Sequence, residues 1–359
     1  MPGEGENGYV KTLHLKVEPG QIEKAEANEA LDHAAEILRA GGLVAMPTET
    51  VYGLGANALD RAAVERIFAA KSWPAWDPVI VHVASLTMLE GLVDGVPEVA
   101  RRLMEAFWPG PLTLLLQRTS AVPDAVTAGR PLVGVRMPSH PVALELIRRA
   151  GVPVAAPSAN RFGHISPTTA AHVIHDLDGR IDAVVDAGPA QRGVESTVLD
   201  PAPSPMVIYR PGAITAEQIR EVAGPVELFK GGEPLREVPI EALPSPGVGL
   251  RHYAPKARLV LIEAPLEELG NRLAEAARSD RGEPVGVMLP AGIDDLREIA
   301  AHVYPWGDWS VPETLARELY AGLRALDAAG CTVILCPLPP SEGIGAAIRD
   351  RLEKAASRE

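Results

Sequence analysis

The chain has 359 residues, 47% of them apolar, and a formal charge of −13. That length exceeds one average core, so two domains are expected, and the apolar share excludes a disordered chain. The acidic balance argues against long-range attraction to nucleic acid, and no run of eighteen apolar residues marks a membrane span.

The opening stretch MPGEGENGYVKTLHLKV lacks the apolar h-region of a secretory signal. Residues 22–40 carry apolar side chains at helical spacing and end at Gly41-Gly42, a good helix stop. The apolar run Leu43–Met46 reads as a strand that Pro47 ends. RAAVERIFAAK (61–71) is a helix, PVIVHVAS (78–85) a strand, and PEVARRLMEAFW (97–108) a helix stopped by Pro109-Gly110. PLTLLLQR (111–118) and LVGVRMP (132–138) are strands. PVALELIRRAG (141–151) is a helix, VPVAAPSAN (152–160) a strand entering a polar turn, and TAAHVIHDLDGR (169–180) a helix. AVVDAG (183–188), STVLD (196–200) and MVIYR (206–210) complete a mixed pattern without strict alternation.

Residues 211–255 are rich in Pro and Gly and hold only short apolar runs, the mark of a linker or functional loop. From Arg258 strands and helices alternate. RLVLIE, VGVML, HVYPW and TVILCPL are strands, with helices over 265–278, 294–301 and 312–328, and a last helix at IGAAIRDRLEKAA. That is the pattern of a small, parallel, Rossmann-like domain. Its GIGAAI lacks the third glycine of a dinucleotide fingerprint. The expected organisation is α/β, with a first domain over 1–210, a linker over 211–256 and a second domain over 257–359. Cys331 and Cys336, five residues apart in CTVILC, should face opposite sides of a strand, with no disulfide or metal site. A reduced, cytoplasmic setting fits.

Four polar constellations follow apolar runs: PTETVYG (47–53), APSANRFGHISPT (156–168), GVESTV (193–198) and YRPG (209–212). Each alone reads as turn chemistry. Four at strand ends point to a ligand, because sheet ends are where ligands bind. Arg136 on an apolar strand needs an anionic partner. Lys71 ends a helix, where a cation also complements the dipole. His82 interrupts an apolar strand, either as a satisfied core histidine or facing a ligand. Arg210 directly precedes Pro-Gly. There is no Walker A sequence, no H-E-x-x-H, no G-x-S-x-G and no nucleophile with an evident base. Cations among hydroxyls therefore suggest an anionic ligand held without a P-loop.

PTETVYGLGANA, FWPGPLTLLL, VRMPSHP, APSANRFGHISPT, GVESTVLD and YRPGAIT together resemble the Sua5/YrdC family of threonylcarbamoyl-AMP synthases. PGVGLRHYAP and the tail LYAGLRALDAAG … GIGAAIRDRLEKAA resemble the long, Sua5-type members. The resemblance implies a YrdC-like twisted mixed sheet around a large concave cavity, a linker folding over it, and a Rossmann-like C-terminal domain. It implies synthesis of threonylcarbamoyl-adenylate from L-threonine, bicarbonate and ATP, with magnesium accompanying ATP and pyrophosphate released. The product would pass to a tRNA threonylcarbamoyl-transferase complex that makes N6-threonylcarbamoyladenosine at position 37; direct tRNA contact is left open. By the same resemblance, Thr50, His82, Arg136, Ala156 and Ser196 line the threonine pocket. Ser158, Ser166, Arg210 and Tyr253 contact ATP. Lys71, Ser158 and Asn160 form the catalytic signature, and Thr48, Tyr52 and His252 support the wall.

KSWPAWDPVIVH (71–82) departs from the family pattern K-x-R-P-x-x-N-P-L: Trp73 stands at the arginine position and Asp77 at the asparagine position. Leu132 stands where threonine is common. All three fall where the nucleotide is expected, with Asp77 also a possible magnesium ligand and Trp73 either a stacking or a cover residue. A second reading is therefore a divergent, weakly active or inactive member that binds nucleotide or RNA as a partner subunit. A third is a related carbamoyl-transfer module, against which the Sua5-like tail argues.

Overall fold

The computed structural model describes residues 11–22, 24–73, 77–229, 253–280, 282–294 and 296–357. The first part of the chain runs β1 (Leu13–Lys16), α1 (Ala25–Arg39), β2 (Val44–Met46), β3 (Gly53–Asn57), α2 (Arg61–Lys71), β4 (Val81–His82), α3 (Leu86–Glu90), α4 (Glu98–Phe107) and β5 (Leu112–Gln117). It continues through α5 (Asp124–Thr127), β6 (Leu132–Arg136), α6 (Pro141–Ala150), β7 (Val154–Ala155), α7 (Ala170–Leu177), β8 (Ala183–Asp186), β9 (Thr197–Asp200) and β10 (Met206–Arg210). Then come α8 (Ala216–Ala223) and β11 (Val226–Leu228).

These strands form one mixed sheet in the order β1-β8-β2-β3-β7-β4-β6-β5-β9-β10-β11. Strand β2 shows why it is buried on both faces. Val44 and Met46 pack with Leu31 and Leu38 of α1 and Leu146 and Ile147 of α6. Leu43 and Ala45 point the other way, toward Val64 and Ile67 of α2. A period of two serves two cores. Strand β3, GLGAN, has poor strand propensity and was not expected. A Cβ on Gly55 would stand 2.8 Å from Val154 Cγ1 and 3.1 Å from Val44 O, so close approach of neighbouring strands demands glycine there.

Within the stretch 211–256, expected to lack structure of its own, residues 216–223 and 226–228 form regular elements. Thr215 caps α8 through a capping box with Gln218, and β11 extends the first sheet beside β10. His252, expected near the site, and Arg251 lie outside the described residues.

The second part contains β12 (Arg258–Ile262), α9 (Leu266–Ser279), β13 (Val285–Pro290), β14 (His302–Gly307), α10 (Pro312–Ala328), β15 (Val333–Pro337) and α11 (Gly345–Ala356). Its sheet, ordered β12-β15-β13-β14, is parallel throughout. The helix expected over 294–301 does not form. Among the described residues of that segment, Leu296 and Ala300 are buried, and 297–299 make one turn before β14 begins. Cys331 and Cys336 are unbridged, and both enter one apolar cluster because Cys331 precedes β15 and so escapes its alternation. No helix among the described residues is long and apolar enough to cross a membrane.

The two parts share a core. Val51, Ile165, Val194 and Ala213 of the first join Leu315, Leu319, Tyr320 and Ile348 of the second in one cluster. Around it, Arg324 of α10 pairs with the buried Asp176 of α7 at 2.6 Å. Arg351 of α11 pairs with Glu195 at 2.8 Å. Gly193, at φ +72°, lies so near α10 that a Cβ would stand 2.4 Å from Ala316 O and 2.5 Å from Arg317 Cα. Gly193→Ala is therefore expected to force the domains apart and cost about 1–3 kcal/mol, read as a lower urea midpoint. An unchanged midpoint would mean that the junction is loose.

Candidate active site

Strand β2 ends at Pro47, and the chain turns on Thr48. Its hydroxyl accepts from the N–H groups of Thr50 and Val51 at 3.2 and 3.3 Å and donates to Val51 O at 2.6 Å. That turn leaves Thr50 Oγ1 to accept from Arg136 Nη2 at 3.0 Å. Arg136 ends β6, beside His82 on the parallel strand β4. Glu49 sits behind it, 3.8 Å from Nη2, and accepts from Ser139 N–H at 3.2 Å. Arg136 is 3% exposed, yet its Nε has no hydrogen-bond partner among the described residues. A buried donor without an acceptor points to a ligand. Burial, and then the neighbouring Arg136 charge, hold His82 well below its ordinary pKa, so the imidazole is neutral.

The second cation is Arg210, at the end of β10. Nε donates to Ser196 O and Nη2 to Ser196 Oγ, both at 3.1 Å. Ser196 Oγ also meets Thr113 Oγ1 at 2.8 Å. Gly212 makes this approach possible, since a Cβ there would lie 2.3 Å from Thr197 N. Thr48, Thr50, Trp73, Asp77, His82, Arg136, Ala156, Ser158, Glu195, Ser196, Arg210 and Tyr253 all face one cleft. The loops singled out in the sequence thus converge.

Several expected site residues lie behind the wall. Lys71, the last residue of α2, is 2% exposed and donates to the carbonyls of Ser158 and Asn160. Asn160 donates to Arg161 O at 2.9 Å and His164 O at 2.7 Å, bracing the same loop. Ser166 donates to Glu195 Oε1 at 2.6 Å. Tyr52 donates to Gly188 O at 2.6 Å. Lys71, Ser166 and the Asn160 amide nitrogen thus hold the loops that shape the cleft, Tyr52 supports the wall as expected of it, and Asn160 Oδ1 is buried without a hydrogen-bond partner among the described residues. Leu132, expected at the nucleotide, packs with Ile80, Leu115 and Val198 and is half-buried.

Two carboxylates escaped the residue-by-residue expectation. Glu49 was visible as the one acid in PTETVYG, and Glu195 as the acid before Ser196. Nothing local to either showed which cation it would face. For Glu195, burial alone would raise the pKa, but Arg351, Arg210 and the Ser166 hydroxyl hold it at about 2. Tyr253 is buried at φ +66°, stacked on Tyr320 at 5.7 Å, with Arg351 5.3 Å from its ring centroid.

Residues 36–212 match the Sua5/YciO/YrdC family, described as telomere recombination, and residues 214–357 match the threonylcarbamoyl-AMP synthase C-terminal domain. A threonylcarbamoyl-AMP synthase of Pyrococcus abyssi is 43% identical over 90% of this chain and 93% of its own. One of Bacillus subtilis is 46% identical over 90% and 92%. The crystal structure of P. abyssi Sua5 complexed with L-threonine superposes with a TM-score of 0.85 at 40% identity, covering 96% of this chain and 97% of that one. Fold and cleft define a two-domain, YrdC-like protein with a small parallel C-terminal domain. The chain belongs to the Sua5/YrdC family, in its long, Sua5-type form.

Two buried ionisable groups beside the cleft, Lys71 of the family pattern and Asp77 at a departure from it, have displaced titrations. Desolvation, partly offset by Asp176 and Asp77, lowers Lys71 to about 7 from 10.5. Desolvation, partly offset by Arg210 and Lys71, raises Asp77 to about 7 from 3.8. Between about 7 and 10.5 the unfolded chain holds the Lys71 proton and the folded chain does not, so stability rises with pH there. Between 3.8 and about 7 the folded chain holds the Asp77 proton and the unfolded chain does not, so stability falls with pH there. Lys71→Met should flatten the upper rise and Asp77→Asn the lower fall, in urea midpoints followed across pH. Profiles identical to the parent would refute both titrations.

Proposed function

We propose that this chain is an L-threonylcarbamoyl-AMP synthase, joining L-threonine, bicarbonate and ATP with release of pyrophosphate. The observation that carries the reading is the pair of buried guanidinium groups, Arg136 and Arg210, facing one cleft among Thr50, Ser158 and Ser196. The Arg136 fork suits the amino-acid carboxylate, with Nη2 already directed by Thr50. Neutral His82 and the hydroxyls of Thr50 and Ser196 supply the remaining polar wall. Arg210, across Ser196, suits the phosphates.

The amine and bicarbonate condense to a carbamate with loss of water. A carbamate oxygen then attacks the α-phosphorus, and the bond to the bridging oxygen breaks to release pyrophosphate. Such chemistry calls for positioning and charge stabilisation, with no covalent enzyme intermediate. Tyr253 completes the wall from beyond the first domain, which suits exclusion of water from a labile adenylate. Magnesium would enter with ATP. No group of three or more metal-ligating side chains exists among the described residues, so the phosphates would supply most of its ligands. Asp77, buried with Oδ1 unpartnered among the described residues, is the carboxylate that fits it. Bound magnesium would neutralise charge on the triphosphate. The product would serve the first step toward N6-threonylcarbamoyladenosine at position 37 of tRNA, in the cytoplasm, by passing to a transferase complex.

Pyrophosphate release with all three substrates tests the reading. Arg136→Met should raise the KM for threonine on the order of 10- to 100-fold, since a charged hydrogen bond is worth about 1.5–3 kcal/mol. Release no faster than in Lys71→Ala/Arg136→Ala would refute synthase activity. Trp73 and Asp77 favour the second reading, a weakly active member, and the same assay addresses it. Trp73→Arg with Asp77→Asn should raise turnover if these residues impair the nucleotide loop. Equal or lower turnover would show that the loop works as it stands.

A further inference from the structure

Glu195 poses a problem for an anion-binding cleft. It lines the cavity, precedes Ser196, and carries a full negative charge close enough to Arg210 for the two to attract. Left to themselves, a buried carboxylate and a buried guanidinium would pair, and Arg210 would be lost to an anionic substrate. They do not pair. Among the described residues no ion pair within 4.0 Å joins them, and the hydrogen bonds of Arg210 go to Ser196.

The carboxylate is instead saturated by one hydroxyl of the first domain and by Tyr320 and Arg351 of the second. Oε1 accepts from Ser166 Oγ at 2.6 Å and from Tyr320 OH at 3.2 Å. Oε2 accepts from Tyr320 OH at 3.0 Å and from Arg351 Nε at 2.8 Å. Arg351 is itself fixed: Nη2 donates to Pro211 O at 3.0 Å and Nη1 to Asp350, while its guanidinium lies against the Tyr253 ring. At 1% exposure it is among the most buried charges of the molecule.

We propose that Arg351 of the C-terminal domain is a positioning residue for the cleft, acting through Glu195: by holding that carboxylate it keeps the Arg210 guanidinium available to the anionic substrate. The second domain thereby completes the site electrostatically without reaching into it. This rests on the assignment of Arg210 to ATP.

The two halves of the ion pair should behave oppositely, which a merely structural contact would not produce. Binding of a non-hydrolysable ATP analogue, followed by calorimetry, reads the effect without turnover. Arg351→Met should weaken it about tenfold, the loss of one charged contact, and leave threonine binding within about twofold. Glu195→Gln, which removes the competing charge and leaves the Arg351 cation uncompensated beside the cleft, should tighten analogue binding, and unchanged binding would count against the proposal. The double variant should return to within about threefold of the parent, because neither charge remains. Equal binding by Arg351→Met and the parent would overturn the proposal. So would weakening of analogue binding by Glu195→Gln, or parallel loss of threonine and analogue binding that the double variant fails to rescue. Should Arg351→Met not fold, the sign of the Glu195→Gln effect still decides. A parent chain that binds threonine but no analogue would instead sink the ATP assignment itself.

Discussion

Two guanidinium groups buried at the ends of β6 and β10 and facing one cleft, each close to a carboxylate yet not consumed by it, are the constraint on which this structure depends. Ionised groups removed from water are costly unless compensated. Arg136 has Glu49 behind it at 3.8 Å and Thr50 beside it, with its Nε left over. Arg210 has Ser196 for its hydrogen bonds, while Glu195 is engaged elsewhere. The compensation is incomplete enough to favour an anion in the cleft. Each strand end, each turn and the small residues Gly53 and Gly212 serve that spacing.

The C-terminal domain participates in the same balance. It covers the first domain with a shared apolar cluster, clasps α7 through Arg324 and Asp176, and holds Glu195 through Arg351 and Tyr320. A tether would need none of these buried polar contacts, since a linker alone would keep the domains together. Their burial makes the domain boundary part of the site.

Residues with a strong local signature were legible. The apolar strands β5, β6, β9 and β10 and the amphipathic helices α4, α6, α10 and α11 follow from periodicity. Arg136 and Arg210 stood out because a cation on an apolar strand demands an explanation. Strand β3 was hidden by its glycines, whose reason is the nearness of Val154 and Val44. The helix α8 and strand β11 were hidden in a stretch whose composition suggested a linker. That Lys71, Asn160 and Ser166 also brace the loops of the cleft was not legible, because polar residues near a site look alike in sequence, whether they touch a ligand or hold the loop that does.

The amino-acid sequence by itself determined the family, the α/β class, the parallel C-terminal sheet and the set of loops that supply the cleft. These follow from local periodicity and from motifs whose residues are close along the chain. The tertiary structure alone decided which polar groups face the cleft and which support it, and which carboxylate each cation answers to. Charge pairing depends on distance in space and on removal from water. Arg351 and Glu195, 156 residues apart in the chain and 2.8 Å apart in the fold, carry no mark of each other until the chain has folded.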